Sequence, residues 1–364
     1  MAEVKSDYGF PLFSKGKRPV YFNNNKILTA DIWAFWDYAI KAKSKTNERK
    51  MILSSLLEQS KMFYKAAEDS ELRSKPLLYY YSFLNFAKLV IEMSGKEITK
   101  TQRFDHGIEV EDASQTHFYN AKVNIKKFNS GDATPKKRSV CYEFMEIVEP
   151  TIHHSFPPPL ELNIKEMLKQ NVGVHRIFSN IYGGEEHFFK LKNPKLRKNG
   201  KDLIFESEVD IDKKKMPSLQ AIYGSSITTE KKKATIDGVE KEIDAFIYRQ
   251  LITMPNYSVT RSQYLLLSQK IREAGIWYFL SKDGYTIYLS ARADYRYSPE
   301  FIIYTIMFFL GSITRYHPYL FDDILDKDDQ WIVSEFLGTQ PKQFLYLTTS
   351  KVFGLELREP YAKF

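Results

Sequence analysis

Several polar side chains in this chain stand where apolar ones would be expected. Near the C-terminus the run FIIYTIMFFLGSI, residues 301–313, leads through Thr314 into Arg315, Tyr316, His317 and Pro318. A guanidinium offers a rigid fork of donors to a phosphate or carboxylate, and an imidazole exchanges protons near neutral pH. Arg315 and His317 therefore form a candidate pair for gripping an anion and moving a proton. A plainer reading stands beside it: Pro318 ends the helix and basic residues complement its C-terminal dipole. In PLLYYYSFLNFAKLVIEM, residues 76–93, Ser82, Asn85 and Lys88 recur every three positions along an otherwise apolar helix. A hydroxyl, an amide and an ammonium on one strip suit a phosphate or an acidic ligand, or simply the wet edge of a helix. Arg103, Asp105 and His106 precede Gly107. A carboxylate beside an imidazole tunes its proton affinity, although Asp-His-Gly is also ordinary turn chemistry.

If these groups converge, they do so where the helix of residues 76–93 meets the one ending in Arg-Tyr-His-Pro. Lys88 and Arg315 would hold an anion, and Ser82 and Asn85 would orient it. His106 or His317 would act as general base or acid in a metal-independent phosphodiester cleavage. No metal site is suggested: of the histidines at 106, 117, 153, 154, 175, 187 and 317, only His153 and His154 are neighbours. No phosphate-binding loop, dinucleotide fingerprint, H-E-x-x-H or G-x-S-x-G elbow occurs, so no cofactor is expected. A single cysteine, Cys141, excludes an intramolecular disulfide framework and fits a reducing compartment.

The elements that must position these residues read mainly as helix. TADIWAFWDYAIKAK has Thr29 as a candidate N-cap and puts Ile32, Phe35, Trp36 and Ala39 on one face. NERKMILSSLLEQSKMFYKAAEDS repeats the pattern with Ile52, Leu56, Met62 and Phe63. Pro76 fits the first turn of a third helix that Gly95 closes. Residues 113–127 alternate as a strand, NSGDATPKKR reads as an exposed loop, and short helices are expected from Ile164 and near Val174. From about 183 to 254, β-branched residues, alternating charge and turns at Asn199-Gly200 and Asp237-Gly238 predict an antiparallel, β-rich insert. Its triplets Lys213–Lys215 and Lys231–Lys233 could face a nucleic acid, but edge charges that block strand pairing are the favoured reading. RSQYLLLSQKIREAGIWYFL, SPEFIIYTIMFFLGSITRYHP and DDQWIVSEFLG return to helix, with a hairpin near Asp283-Gly284. The expected fold class is α+β, mainly α-helical. Three regions are expected: an N-terminal helical region (1–112), a mixed region (113–256) and a C-terminal helical region (257–364) packing on the first.

The totals constrain partners only loosely. The chain has 364 residues, 43% hydrophobic and 27% charged, as in ordinary globular proteins. A formal charge of +8 permits RNA, DNA or a nucleotide as partner without requiring one. The longest apolar run falls short of the roughly 20 residues of a membrane span, and MAEVKSDYGFPLF lacks the pattern of a secretory leader. The expectation is a cytoplasmic protein with no membrane association.

The segments KPLLYYYSFLNFAKLVI, DHG, MFFLGSITRYHPYLFDD and WIVSEFLGTQPKQFLY together resemble the YaaC-like proteins of bacteria, over roughly residues 50–110 and 298–350. The family resemblance implies a bacterial cytosolic protein but no established activity; a role in anti-phage defence follows by analogy only. A second likeness is to HEPN-type helical ribonucleases, which pair an arginine and a histidine four to six residues apart across a dimer. The present chain departs from that spacing, since Arg315 and His317 are two apart and Arg103 and His106 three. Three functions of different class remain: a nucleic-acid- or nucleotide-binding effector of defence, a ribonuclease included; a non-catalytic subunit that docks a partner protein; and a housekeeping protein with a small-molecule site. A homo-oligomer is compatible with each.

Overall fold

The computed structural model describes residues 2–3, 26–99, 104–111, 118–127, 138–148, 159–236, 238–255, 260–281, 284–291 and 297–360. Arg103, His117, His153, His154, Asp237, Asp283 and nearly all of the expected 129–138 loop lie outside them. Helices α1 (Ile32–Lys43), α2 (Asn47–Glu68), α3 (Lys75–Met93), α4 (Val140–Val148), α5 (Ile164–Gln170) and α6 (His175–Tyr182) come first. A sheet-rich segment carries α7 (Met216–Tyr223) and α8 (Arg261–Glu273), and α9 (Pro299–Tyr316), α10 (Pro318–Leu325) and α11 (Asp329–Phe353) follow. The fold is α+β and mainly helical. The chain divides into two compact units, one of residues 29–185 and 297–352, the other of residues 1–28, 186–296 and 353–364.

The first unit is built on α3 and α9, which are buried nearly all round. In α3 the residues Phe83, Phe86, Ala87, Leu89, Val90 and Ile91 are wholly inaccessible. Phe344 of α11 stacks on Phe83 at 4.0 Å between centroids, with Phe86, Phe144 and Tyr304 at 5.8, 5.7 and 6.2 Å from it. Each such ring contributes about 1.5–3 kcal/mol by leaving water. α3 and α9 can approach closely because position 311 is glycine. A Cβ there would lie 2.8 Å from Cβ of Tyr80 and 3.2 Å from the Pro76 carbonyl. Short strands sit beside the helices: β3 (Phe104–Asp105) pairs in parallel with β6 (Arg138–Ser139), and β5 (Lys122–Ile125) lies between β4 (Ile108–Glu111) and β7 (Leu160–Asn163).

Several local expectations change. α1 is capped by Asp31, not Thr29: its carboxylate accepts from the backbone N–H groups of Trp33 and Ala34 at 2.9 and 3.0 Å. A carboxylate reaches these orphan donors and also complements the positive helix end. The buried stripe of α2 is Leu53, Leu56, Leu57, Ser60, Tyr64 and Ala67, and Met62 is 68% exposed. The small Ser60 lets α2 and α3 touch, which turns the helix away from its bulkier residues. The final helix runs unbroken from Asp329 through Pro341 to Phe353. The lost hydrogen bond and ring clash cost about 3 kcal/mol, which burial of Phe344, Leu345, Tyr346 and Leu347 just beyond offsets. Gly95 does close α3, in a left-handed conformation (φ 95°).

The second unit holds a sheet of β8 (Phe188–Asn199), β9 (Asp202–Val209), β10 (Ile227–Ile236), β11 (Val239–Thr253), β12 (Ile276–Ser281) and β13 (Gly284–Ser290). The order is β10-β11-β9-β8-β13-β12, antiparallel throughout, with β1 (Ala2–Glu3) also pairing β8. In the same unit β2 (Lys26–Leu28) pairs in parallel with β14 (Glu356–Arg358). Gly200, with φ 58°, makes the expected turn from β8 to β9. The segment 261–280, expected as one helix, is α8 followed by β12, because Gly275 (φ 71°) breaks it and Ile276–Leu280, mostly buried, pair with β13. Lys231, Lys232 and Lys233 lie on the edge strand β10 and pair with Asp244, Glu208 and Glu240; Lys213 also pairs with Asp244.

Candidate anion-binding site

A cleft of about 540 Å³ opens in the helical unit. Its walls are Leu77, Tyr80 and Tyr81 of α3, His106 through Val110 around β4, and Phe308 to His317 along α9. The locally decisive residue on the second wall is Gly107. It takes a left-handed conformation (φ 69°), and a Cβ there would fall 1.7 Å from Oγ of Ser139. Asp105 accepts from the His106 backbone N–H at 2.6 Å, and the His106 carbonyl accepts from Cys141 N–H at 3.1 Å. The Asp-His-Gly turn is thus a rigid mount for one imidazole.

His106 meets the hydroxyl of Tyr80 through Nδ1. Burial lowers its pKa; Asp105 works in the opposite direction, and the charges of Lys88 and Arg315 add to the lowering. At pH 7 the ring is therefore neutral. Tyr80 stacks edge-on against Phe308 at 5.2 Å, and burial pushes its hydroxyl far above the usual phenol range. Arg315 leaves the last turn of α9 into solvent, donating to the Tyr81 hydroxyl at 2.8 Å and lying 4.9 Å from the Tyr316 ring centroid. It forms no ion pair among the described residues, and the side chain is exposed. Burial lowers the pKa of Lys88, whose charge reaches His106 but finds no carboxylate partner among the described residues. Glu109 is the acid in the cleft wall, and Lys126 holds it at 2.6 Å.

Of the residues singled out from sequence, His106, Arg315 and His317 line the cleft and Lys88 acts on His106 electrostatically. Ser82 and Asn85 do not reach it. Ser82 is inaccessible and exchanges hydrogen bonds with Ser60, its hydroxyl donating to the Ser60 carbonyl at 2.8 Å. The Asn85 amide donates to the Tyr81 carbonyl of its own helix at 3.0 Å. A three-residue spacing rotates about 60° per step, so one strip cannot keep all three side chains on one ligand. His317 caps α9, and Pro318 begins α10 directly after it. Tyr80 and Tyr81 were not anticipated as site residues; the triplet Tyr79-Tyr80-Tyr81 on an apolar helix was the available signal. Among the described residues no three His, Cys, Asp or Glu side chains converge on a metal position, and no helix is long and apolar enough to cross a membrane.

Fold and site together define a mainly helical α+β protein with a cationic, tyrosine-walled cleft. The chain belongs to the YaaC-like family: the family model described as YaaC-like Protein matches residues 21–352. The match runs through the sheet-rich middle, beyond the two helical stretches that carried the likeness in sequence. No curated protein and no solved structure matches the chain.

Proposed function

We propose that the cleft binds a nucleotide or a short single-stranded nucleic acid, with Arg315 on a phosphate and Tyr81 or Tyr316 against a base. What supports the reading is one observation: Arg315 and Lys88 flank a neutral imidazole in a tyrosine-walled cleft, and neither cation has a carboxylate partner among the described residues. Keeping the half-buried charge of Lys88 without a counter-charge is costly unless an anion completes it, while the exposed Arg315 is placed to meet that anion from the solvent side. The volume lies within the range of small-molecule sites, and aromatic faces accept any base. Titration of a fluorescein-labelled single-stranded RNA and of adenosine monophosphate, each at two salt concentrations, tests it. Affinity that weakens with salt and is lost in Arg315→Ala is the expected result; no binding at low salt ends the reading.

A second reading is favoured by the exposed aromatics Tyr316, Tyr319 and Trp331, at 62, 64 and 52%. In that reading a partner protein covers them, and the cleft is incidental. Nothing in the cleft geometry bears on a defence role, which stands on analogy alone.

A further inference from the structure

His106 has one ring nitrogen engaged and one to spare. Nδ1 meets the Tyr80 hydroxyl, and Nε2 has no partner among the described residues. The direction of the Tyr80–His106 bond decides what the spare nitrogen can do. Tyr80 is only 6% exposed, and Nδ1 is the one hydrogen-bond partner of its hydroxyl among the described residues. A phenol carries a single proton, and a buried donor left without an acceptor is strongly disfavoured. The proton therefore points at Nδ1, Nδ1 accepts, and the neutral ring carries its own hydrogen on Nε2. The reverse arrangement, Nδ1–H donating to the phenol oxygen, would strand the phenol proton in an apolar wall that includes Phe308. Protonating the ring creates the same conflict, since an imidazolium has hydrogen on both nitrogens. Burial and the cations Lys88 and Arg315 also oppose that protonation, and Asp105 alone favours it.

We infer that Tyr80 fixes His106 as an Nε2–H donor, so that the imidazole hydrogen-bonds an acceptor oxygen of the cleft's ligand rather than taking a proton from it. The inference rests on the reading of the cleft as a site for a phosphate-bearing ligand, and it narrows that reading. A phosphoryl oxygen accepts from Nε2–H while Arg315 meets the negative charge. Activating a ribose hydroxyl or a water would require Nε2 without its hydrogen. His106 therefore binds the ligand and does not serve as the base of a cleavage, and Tyr80 is a positioning residue.

The test begins with ligand-free protein carrying ¹⁵N-labelled histidine, observed by NMR at pH 7.5. The expected spectrum has a protonated Nε2 and an unprotonated Nδ1 for His106; the opposite tautomer, or an imidazolium, overturns the inference. Tyr80→Phe, which leaves the ring packing in place, should mix the two tautomers. An unchanged spectrum in that variant shows that Tyr80 does not set the state. Binding of the labelled single-stranded RNA then separates donor from acceptor. His106→Gln, whose amide N–H stands near the position of Nε2–H, retains affinity within about threefold, while His106→Glu, an acceptor only, loses about tenfold or more. Equal losses in both variants overturn the donor role. Wild-type protein that binds neither RNA nor adenosine monophosphate overturns the ligand, while the ligand-free spectrum still decides the Tyr80–His106 arrangement.

Discussion

The lysines at the edge of the sheet and the two cations beside the cleft carry their charge in opposite ways. On the sheet, Lys213, Lys231, Lys232 and Lys233 are conspicuous in sequence, yet each faces a carboxylate of Asp244, Glu208 or Glu240. In the helical unit Lys88 and Arg315 are isolated in sequence, and neither has a carboxylate partner among the described residues. Clustering along the chain is thus a poor guide to where a cation is available for a ligand. The edge-strand lysines neutralise neighbouring acids and discourage strand addition. Lys88 and Arg315 are held near an imidazole by two helices that are mostly apolar and buried. A lone charge in an apolar helix is the stronger signal.

That contrast can be broken or sharpened by substitution. The largest effect is expected where a charge is buried and fully matched. Glu92 is inaccessible and accepts from Arg49, from the backbone of Ile98 and Thr99 at 2.8 Å, and from the Thr99 hydroxyl at 2.7 Å. Glu92→Ala should cost about 3–5 kcal/mol in urea unfolding, by stranding the partners it leaves behind. Arg315→Ala should reduce affinity for single-stranded RNA about tenfold or more, while leaving the thermal midpoint unchanged because the side chain is exposed. Replacing Lys231, Lys232 and Lys233 together by serine should change that affinity less than about twofold and leave the urea midpoint nearly unchanged, since exposed pairs contribute little. A loss of binding equal to that of Arg315→Ala would invert the comparison.

Lys88→Met should stabilise the protein by about 1 kcal/mol, since it removes a desolvated charge, and should weaken RNA binding at the same time. Stability unchanged together with binding unchanged would make Lys88 a bystander. The smallest effect concerns pH. The folded-state pKa of His106 lies below its ordinary 6.5, so between those two values the unfolded chain binds more protons. The contribution is fully present above pH 6.5 and is lost as pH falls through the folded value. A urea titration from pH 8 to 5 should show that decline, and His106→Gln should lack it.

Much of this was legible in sequence, for identifiable reasons. α3 and α9 follow from strong apolar content with a cap or proline at their starts, the short helix α5 starts at its Asn163 cap, and Gly95 closes α3 as expected. The cleft was half legible. Arg315, His317 and Lys88 stood out as polar residues on apolar helices, and His106 stood out by the carboxylate of Asp105 beside its imidazole. Ser82 and Asn85 shared that signature but spend their hydrogen bonds inside the unit. A periodic strip shows that polar groups lie along a helix, but not which neighbour each one meets. The tyrosines went unnoticed because a phenol reads as core, and only the position of its hydroxyl shows otherwise. The helix read over DDQWIVSEFLG continues through Pro341 because helix propensity is local, whereas the burial that overrides it comes from the rest of the unit.

The two glycines of the cleft carry a further consequence. Gly107 and Gly311 bear no functional group, yet each occupies space that a single methyl would contest, against Ser139 and against Tyr80. Any methyl at 311 would shift the phenol that holds His106; any at 107 would shift the mount beneath it. A saturation screen scored by lost binding would therefore show its sharpest intolerance at two positions that offer the ligand no functional group.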